Sequence, residues 1–205
     1  MLWPRSSSLS AQLVFLVAFA APKAARADFL TDWNSQELTQ IRTTSMDPLY
    51  ASRDLAILQV TMFDAINGVT RQDNSFYVNL DAPAGTSLGA SMAAAGFQVM
   101  TSLYGPSSAF TTLYNSQIAS LADSPAAISQ GIEWGTSVAN IITSYRQTDG
   151  ASNSNTGYTP TGAQGNWAPT PPAFDTQPLR PGWVDVTPFR LNTAGQFRPN
   201  GPPTL

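Results

Sequence analysis

Along the middle of the chain, apolar residues recur at the spacing of a helix rather than a strand. Leu55, Leu58, Met62, Ile66 and Val69 fall three or four apart, and a second stripe of Ile57, Val60 and Phe63 leaves little of that stretch polar. A helix that is apolar most of the way round belongs in an interior. Residues 52–69 are therefore predicted as a central buried helix, capped by Ser52, with Asp54 in the first turn where the helix dipole favours an anion. Ahead of it, Trp33, Leu38 and Ile41 share one face of a helix expected to start at an Asp32 N-cap and to stop at Asp47-Pro48, because the residue before a proline disfavours helix.

Behind the central helix, no charged residue lies between Asp81 and Asp123. Two helices fit this span, residues 87–103 and 107–122, separated by the breaker Tyr104-Gly105-Pro106. The first is rich in alanine and glycine, which permits close helix packing. A fifth helix is predicted over residues 125–146, with Pro125 in its first turn, Gly150 as the stop, and Ile128, Ile132, Val138, Ile141, Ile142 and Tyr145 as its buried stripe. No internal repeat is visible. After residue 150 the pattern changes: the last 56 residues hold 10 of the 16 prolines and 7 of the 14 glycines, with almost no helical period. Tyr158, Trp167, Phe174, Trp183, Phe189 and Phe197 are spread along this segment, a density of aromatics that is atypical of a disordered tail. The expectation is an all-α fold: a bundle of about five helices followed by a long Pro/Gly-rich extended strap whose aromatics dock onto something.

Composition narrows the chemistry. The chain has 205 residues, 10 basic and 13 acidic side chains, a net charge of −3, and neither cysteine nor histidine. Residues 1–27 have the three parts of a secretory signal: Arg5, the apolar run LVFLVAFAA from Leu13, and the small-x-small site Ala25-Arg26-Ala27. The run is too short for the roughly 20 residues that span a bilayer. Export and cleavage are thus expected, by the general secretory route, to give a secreted or periplasmic mature chain without a membrane span. That mature chain keeps seven arginines and 13 acids, a net charge of −6, and loses Lys23, the only lysine. Without His, Cys or Lys there is no Ser-His-Asp triad, cysteine nucleophile, Schiff base or Walker lysine. An acidic chain without lysine also makes a poor nucleic-acid partner. Carboxylate chemistry, an oxygen-ligated metal, or no chemistry remain.

Several strings together resemble the N-terminal half of bacterial vanadium-dependent haloperoxidase-like proteins, relatives of the type 2 phosphatidic acid phosphatases. They are Asp32-Trp33-Asn34, Ser52-Arg53, Met62-Phe63-Asp64-Ala65-Ile66-Asn67 and Tyr158-Thr159-Pro160, then Trp167-Ala168-Pro169-Thr170-Pro171-Pro172, Gly182-Trp183, Thr187-Pro188-Phe189 and Phe197-Arg198-Pro199. The resemblance implies an all-helical fold, built in the complete family from two sets of helices around a deep oxyanion site. There a Lys, two Arg, a Pro-Ser-Gly-His segment and a final His hold vanadate or phosphate, and all of them follow the strap. No catalytic, cofactor-binding or metal residue can be carried over to this chain. The implied organisation is a signal (1–27), a helical domain (28–149) and a connector (150–205) leading to a missing C-terminal catalytic half, the expected partner. The resemblance thus implies a peroxidase or phosphatase half, inactive alone, with vanadate belonging to the complete fold. The other class of function is a self-sufficient secreted binding or scaffolding module that presents Trp167, Trp183 and Phe189.

Individual residues have plain readings beside functional ones. Asp64 and Asn67, three apart on one helix, could bind a substrate hydroxyl, yet buried polar residues usually satisfy each other or cap backbone groups. Arg53 could meet an oxyanion, but beside Asp54 it reads as a surface or inter-helix pair. Asp175 and Asp185 form a weak glycosidase-like pair. Residues 149–155 place oxygen donors at alternate positions, loosely like a calcium loop, but lack its central Gly and bidentate Glu, and are expected to be a solvated loop. A metal hydrolase using Asp64, Asp54 or Glu37 has only composition behind it.

Overall fold

The computed structural model describes residues 25–163 and 165–201, with side chains from residue 29 onward. Apart from its last three residues, the predicted signal lies outside the described residues. Five α-helices follow one another: α1 (Ala25–Thr43), α2 (Pro48–Thr70), α3 (Leu88–Tyr104), α4 (Ser108–Ala119) and α5 (Pro125–Gln147). Two short 3-10 turns, Ala151–Asn153 and Pro181–Asp185, come after them, and no strand occurs among the described residues. The all-α expectation holds. No helix among the described residues is long and apolar enough to cross a membrane.

Every helix from α2 on begins with a side-chain cap that satisfies one of the free N–H groups of its first turn. Ser87 accepts from Ala90 N at 3.2 Å, Ser107 from Ala109 N at 3.3 Å and Ser124 from Ala127 N at 3.2 Å. α2 differs from expectation. Its cap is Asp47, which accepts from Leu49 N at 2.9 Å, and Pro48 takes the first helical position, where its missing N–H costs nothing. Ser52 therefore lies inside the helix and donates to Leu49 O at 2.9 Å, and Asp54 sits a turn deeper than predicted. A proline read only as a stop for α1 was also the start of α2.

The Asp32 cap is likewise corrected. α1 begins at Ala25, because Phe29, 6% exposed, continues the buried stripe of Trp33 one turn upstream. Asp32 accepts instead from Gln117 Nε2 of α4 at 3.2 Å. At the other boundaries, α4 stops three residues before expected, and α5 ends at Gln147.

α3 and α5 make the tightest seam. A Cβ added at Gly131 would meet Ala90 Cβ and Ser87 O at 2.6 Å, and one at Gly135 would collide with the carbonyl oxygen of Ser91. Backbone therefore approaches backbone, with Ala90, Ala94, Ala95 and Ala139 completing the seam. Around it lies one core of Trp33, Ile57, Leu58, Met62, Val99, Met100, Phe110, Val138 and Ile142, all essentially inaccessible to water. Burial of such side chains contributes about 1.5–3 kcal/mol each against the cost of ordering the chain.

The segment after α5 returns to the helices at fixed points. Gly182 N donates to Ser154 O at 2.9 Å, Thr187 N to Asp149 O at 2.8 Å, and Arg180 Nε to Asp47 Oδ2 at 2.8 Å. Trp183 meets the Tyr50 ring edge-on at 5.5 Å, and Tyr50 donates to Ala151 O at 2.6 Å. Phe189 thus packs against the core and Trp183 against Tyr50, Tyr158 and Trp167 pair with each other at 5.7 Å, and Phe174 and Phe197 are exposed.

Candidate functional site

The helix ends gather a buried polar cluster where α2, α5 and the C-terminal segment meet. Arg53, on the second turn of α2, points across to α5: its Nε donates to Asp149 Oδ2 at 2.7 Å, its Nη1 to Asp54 Oδ1 at 2.9 Å and its Nη2 to Arg146 O at 2.8 Å. The inter-helix pair is therefore the one that forms. Arg146, from the last turn of α5, puts Nη2 2.7 Å from the same Asp149 oxygen and 2.8 Å from Thr187 O. Its guanidinium lies 4.1 Å from the Phe189 ring centre. Asp149 also accepts Ala151 N through Oδ1 at 3.0 Å, so one carboxylate ends α5, turns the chain and holds both arginines.

This overturns the solvated-loop reading of residues 149–155. Asp149, Ala151 and Ser154 are buried, and Ser154 Oγ donates to Ala151 O at 2.7 Å, while Ser152, Asn153 and Asn155 face solvent. Alternation of oxygen donors arose from a joint with one buried and one exposed side, not from a cation loop.

A second buried acid extends the cluster inward. Glu37 of α1, with no solvent exposure, accepts from Tyr104 Oη at 2.9 Å through Oε1, and its Oε2 has no partner. Burial pushes the Glu37 carboxyl up to about 7; the Tyr104 hydrogen bond opposes the shift, and the nearby Asp54 charge adds to it. Burial also raises Asp54, against the pull of Arg53, and Tyr104 is raised by burial together with the charges of Glu37 and Asp54. Glu37, Tyr104, Asp54, Arg53, Asp149 and Arg146 thus form a continuous chain of neighbours from α1 to α5.

The other candidates have structural partners or none in common. Asp64 is fully buried and accepts three backbone amides of the loop between α2 and α3, Phe76 N at 2.6 Å and Tyr77 N and Val78 N at 2.8 Å. Asn67 clasps the same loop through Asp73 N at 2.9 Å and Asp73 O at 2.7 Å. They cap backbone, as the plain reading holds, and not each other. Asp175 and Asp185 are both exposed. No group of three or more Asp or Glu side chains among the described residues could hold a metal ion.

Beside the cluster a pocket of about 350 Å³ opens between α2, the end of α5 and the C-terminal segment, walled by Arg53, Ala56, Arg146, Trp183, Phe189 and Leu191 among others. Sequence reasoning missed Arg146, Asp149 and Tyr104 as members of one network. A signal existed in the Arg146-to-Asp149 spacing one turn after the buried Ile142, but Tyr104 looked like part of a breaker.

The sequence matches no protein-family model and no curated protein. Among solved structures, the chain is similar to the crystal structure of the first bacterial vanadium-dependent iodoperoxidase, with a TM-score of 0.71 at 21% identity over 90% of this chain. The match takes in 48% of that protein, so this chain spans about half the length of its solved counterpart. At that identity the likeness is one of fold.

Proposed function

We propose that this chain is the N-terminal helical half of an exported protein built like a vanadium-dependent haloperoxidase or a related acid phosphatase, and that it is inactive alone. The observation that carries the reading is the fold match, which takes in nearly all of this chain and 48% of the iodoperoxidase. The resembling strings add to it: Trp33 and Asp64 are fully buried, and Arg53 is partly buried in an ion pair with Asp149. In this reading residues 28–149 are the helical domain, residues 150–205 the connector, and a second helical half supplies the oxyanion site. The residues present do not fit vanadate as its protein ligands: the chain has no histidine, and each guanidinium nitrogen of Arg53 already donates to Asp149, Asp54 or Arg146 O. No step of peroxidation or phosphate hydrolysis is therefore assigned to it.

Two measurements test the reading. The purified chain, supplied with vanadate, peroxide and iodide or bromide, and separately with a phosphomonoester, is expected to show no turnover; turnover in either assay refutes the inactivity. Genomic sequence after the Leu205 codon is expected to encode a Pro-Ser-Gly-His segment in some frame, and its absence refutes the half-protein. Export predicts Asp28 as the N-terminus of the protein recovered outside the cytoplasm. The alternative, a self-standing binding module, draws on the anchoring of the C-terminal segment through Asp47–Arg180 and Asp149–Thr187. It predicts one cooperative unfolding transition without a partner; a molten product with exposed apolar surface counts against it.

A further inference from the structure

Arg146 is only 1% exposed, yet its Nε and Nη1 have no hydrogen-bond partner. Those two nitrogens carry three N–H groups, and an unpaired buried charged donor is costly. Its remaining nitrogen is shared between Asp149 and Thr187, and all three nitrogens of the neighbouring Arg53 already donate within the protein. Arg146 therefore has two guanidinium nitrogens without a partner, where each nitrogen of Arg53 has one. It also forms part of the wall of the 350 Å³ pocket, a volume within the range of small-molecule sites.

The rest of that wall is mainly apolar, with Ala56, Trp183, Val186, Pro188, Phe189 and Leu191 facing the same space. Asp54 and Asp149 are not part of it, so the charged groups in the wall are the two guanidinium groups, each ion-paired with Asp149. We propose that this pocket binds a small organic anion, a carboxylate on a flat apolar body, with Arg146 as the partner of the carboxylate and Trp183 and Phe189 as the walls for the body. The carboxylate reaches the free N–H groups by a side-chain rotation of Phe189, whose ring now covers the guanidinium and is only partly buried. A planar fork suits a carboxylate better than a point charge would. The inference does not rest on the peroxidase-like reading, since it uses only this chain's own side chains.

Calorimetric titration of the full chain with benzoate, with its neutral isostere benzamide and with inorganic phosphate tests it. Benzoate is expected to saturate one site and to bind at least about tenfold tighter than benzamide, the scale of one charge-assisted hydrogen bond, and also tighter than phosphate. Equal binding of benzoate and benzamide, preference for phosphate, or no saturable binding overturns the proposal. Arg146→Lys should weaken benzoate by a similar factor. Because that variant touches a buried network, Ala56→Phe serves as the second probe: it fills the pocket, leaves both arginines in place, and should abolish binding while unfolding stays cooperative. Unchanged benzoate affinity in Ala56→Phe overturns the site.

Discussion

At the seam between α3 and α5, Gly131 and Gly135 of α5 bring backbone against α3, which with its flanks carries no charge from residue 82 to residue 122. At the joint between α2, α5 and the C-terminal segment, two arginines and two aspartates fill the space with charge-assisted hydrogen bonds. Both are buried contacts to α5, made at different stretches of the same helix, and they fail in different ways. The seam is set by volume, so it tolerates loss of polar detail but no added atom. The joint is set by charge balance, so it tolerates small changes of shape but not the loss of one partner.

The largest effect should follow from unbalancing the joint. Asp149→Ala leaves the buried Arg146 without a carboxylate and the partly buried Arg53 with Asp54 alone, and removing one partner of a buried pair typically costs about 3–5 kcal/mol. Urea unfolding measures it. A loss under about 1 kcal/mol would show that the joint is hydrated and that the contrast with the seam is false.

Next in size is a pH effect in the strip that links the two regions, because Tyr104 ends α3 and its hydroxyl meets Glu37. The folded-state pKa of Glu37 is raised from 4.5 to about 7, so between those values the folded protein holds a proton that the unfolded chain has released. Stability from this group is fully present below pH 4.5, declines as pH rises and is gone above about 7, a change on the order of 3 kcal/mol. Asp54 is raised and adds to the same trend. Glu37→Gln keeps an acceptor for Tyr104 and should flatten the fall in Tm between pH 5 and pH 7. An unchanged slope would place the titration elsewhere.

At the seam itself, Gly135→Ala forces a Cβ onto the Ser91 carbonyl, which cannot swing aside as a flexible side chain could. Overpacking of this kind costs about 1–3 kcal/mol. Gly157→Ala, at a glycine with open space around it, should be nearly neutral. If both behave alike, the close approach is not what holds α3 to α5.

How much of this was legible follows the same division. The seam could be read in part: a chargeless Ala/Gly-rich α3 has few other uses, and Val138 and Ile142 of the expected α5 stripe are buried, but Gly131, Gly135 and Ala139 complete that face while Ile128, Ile132, Ile141 and Tyr145 are only partly buried. The joint was less legible: only the Arg146-to-Asp149 spacing is local, and no local pattern brings Arg53 and Thr187 to the same pair. Asp64 was intermediate: its burial was expected from its neighbours in the helix, but its partners, the amides of residues 76–78, lie in a loop with no period. Boundaries failed where one residue served two elements, as Pro48 did.

The smallest expected effect lies at Asp47, a partly exposed version of the joint. Asp47 caps α2 through Leu49 N and accepts from Arg180 Nε, whose side chain is 26% exposed. Burial opposes its ionisation, but the Arg180 bond and the amides of Leu49 and Tyr50 outweigh that and hold its carboxyl below the usual range. Its contribution is therefore present above the ordinary value of 3.8 and lost as pH falls through the folded one, opposite in sign to Glu37. Asp47→Asn retains a cap oxygen and should cost only a few tenths of a kcal/mol, the scale of an exposed ion pair, whereas Asp47→Ala loses the cap as well and should cost about 1 kcal/mol. In 1 M salt the difference between wild type and Asp47→Asn should vanish while that between Asp47→Asn and Asp47→Ala persists, because salt screens a partly exposed pair and not a backbone cap. An Asp47→Asn loss as large as that of Asp149→Ala would mean that exposure does not separate the two sites, and that burial is not what makes the α2–α5 joint intolerant of a missing charge.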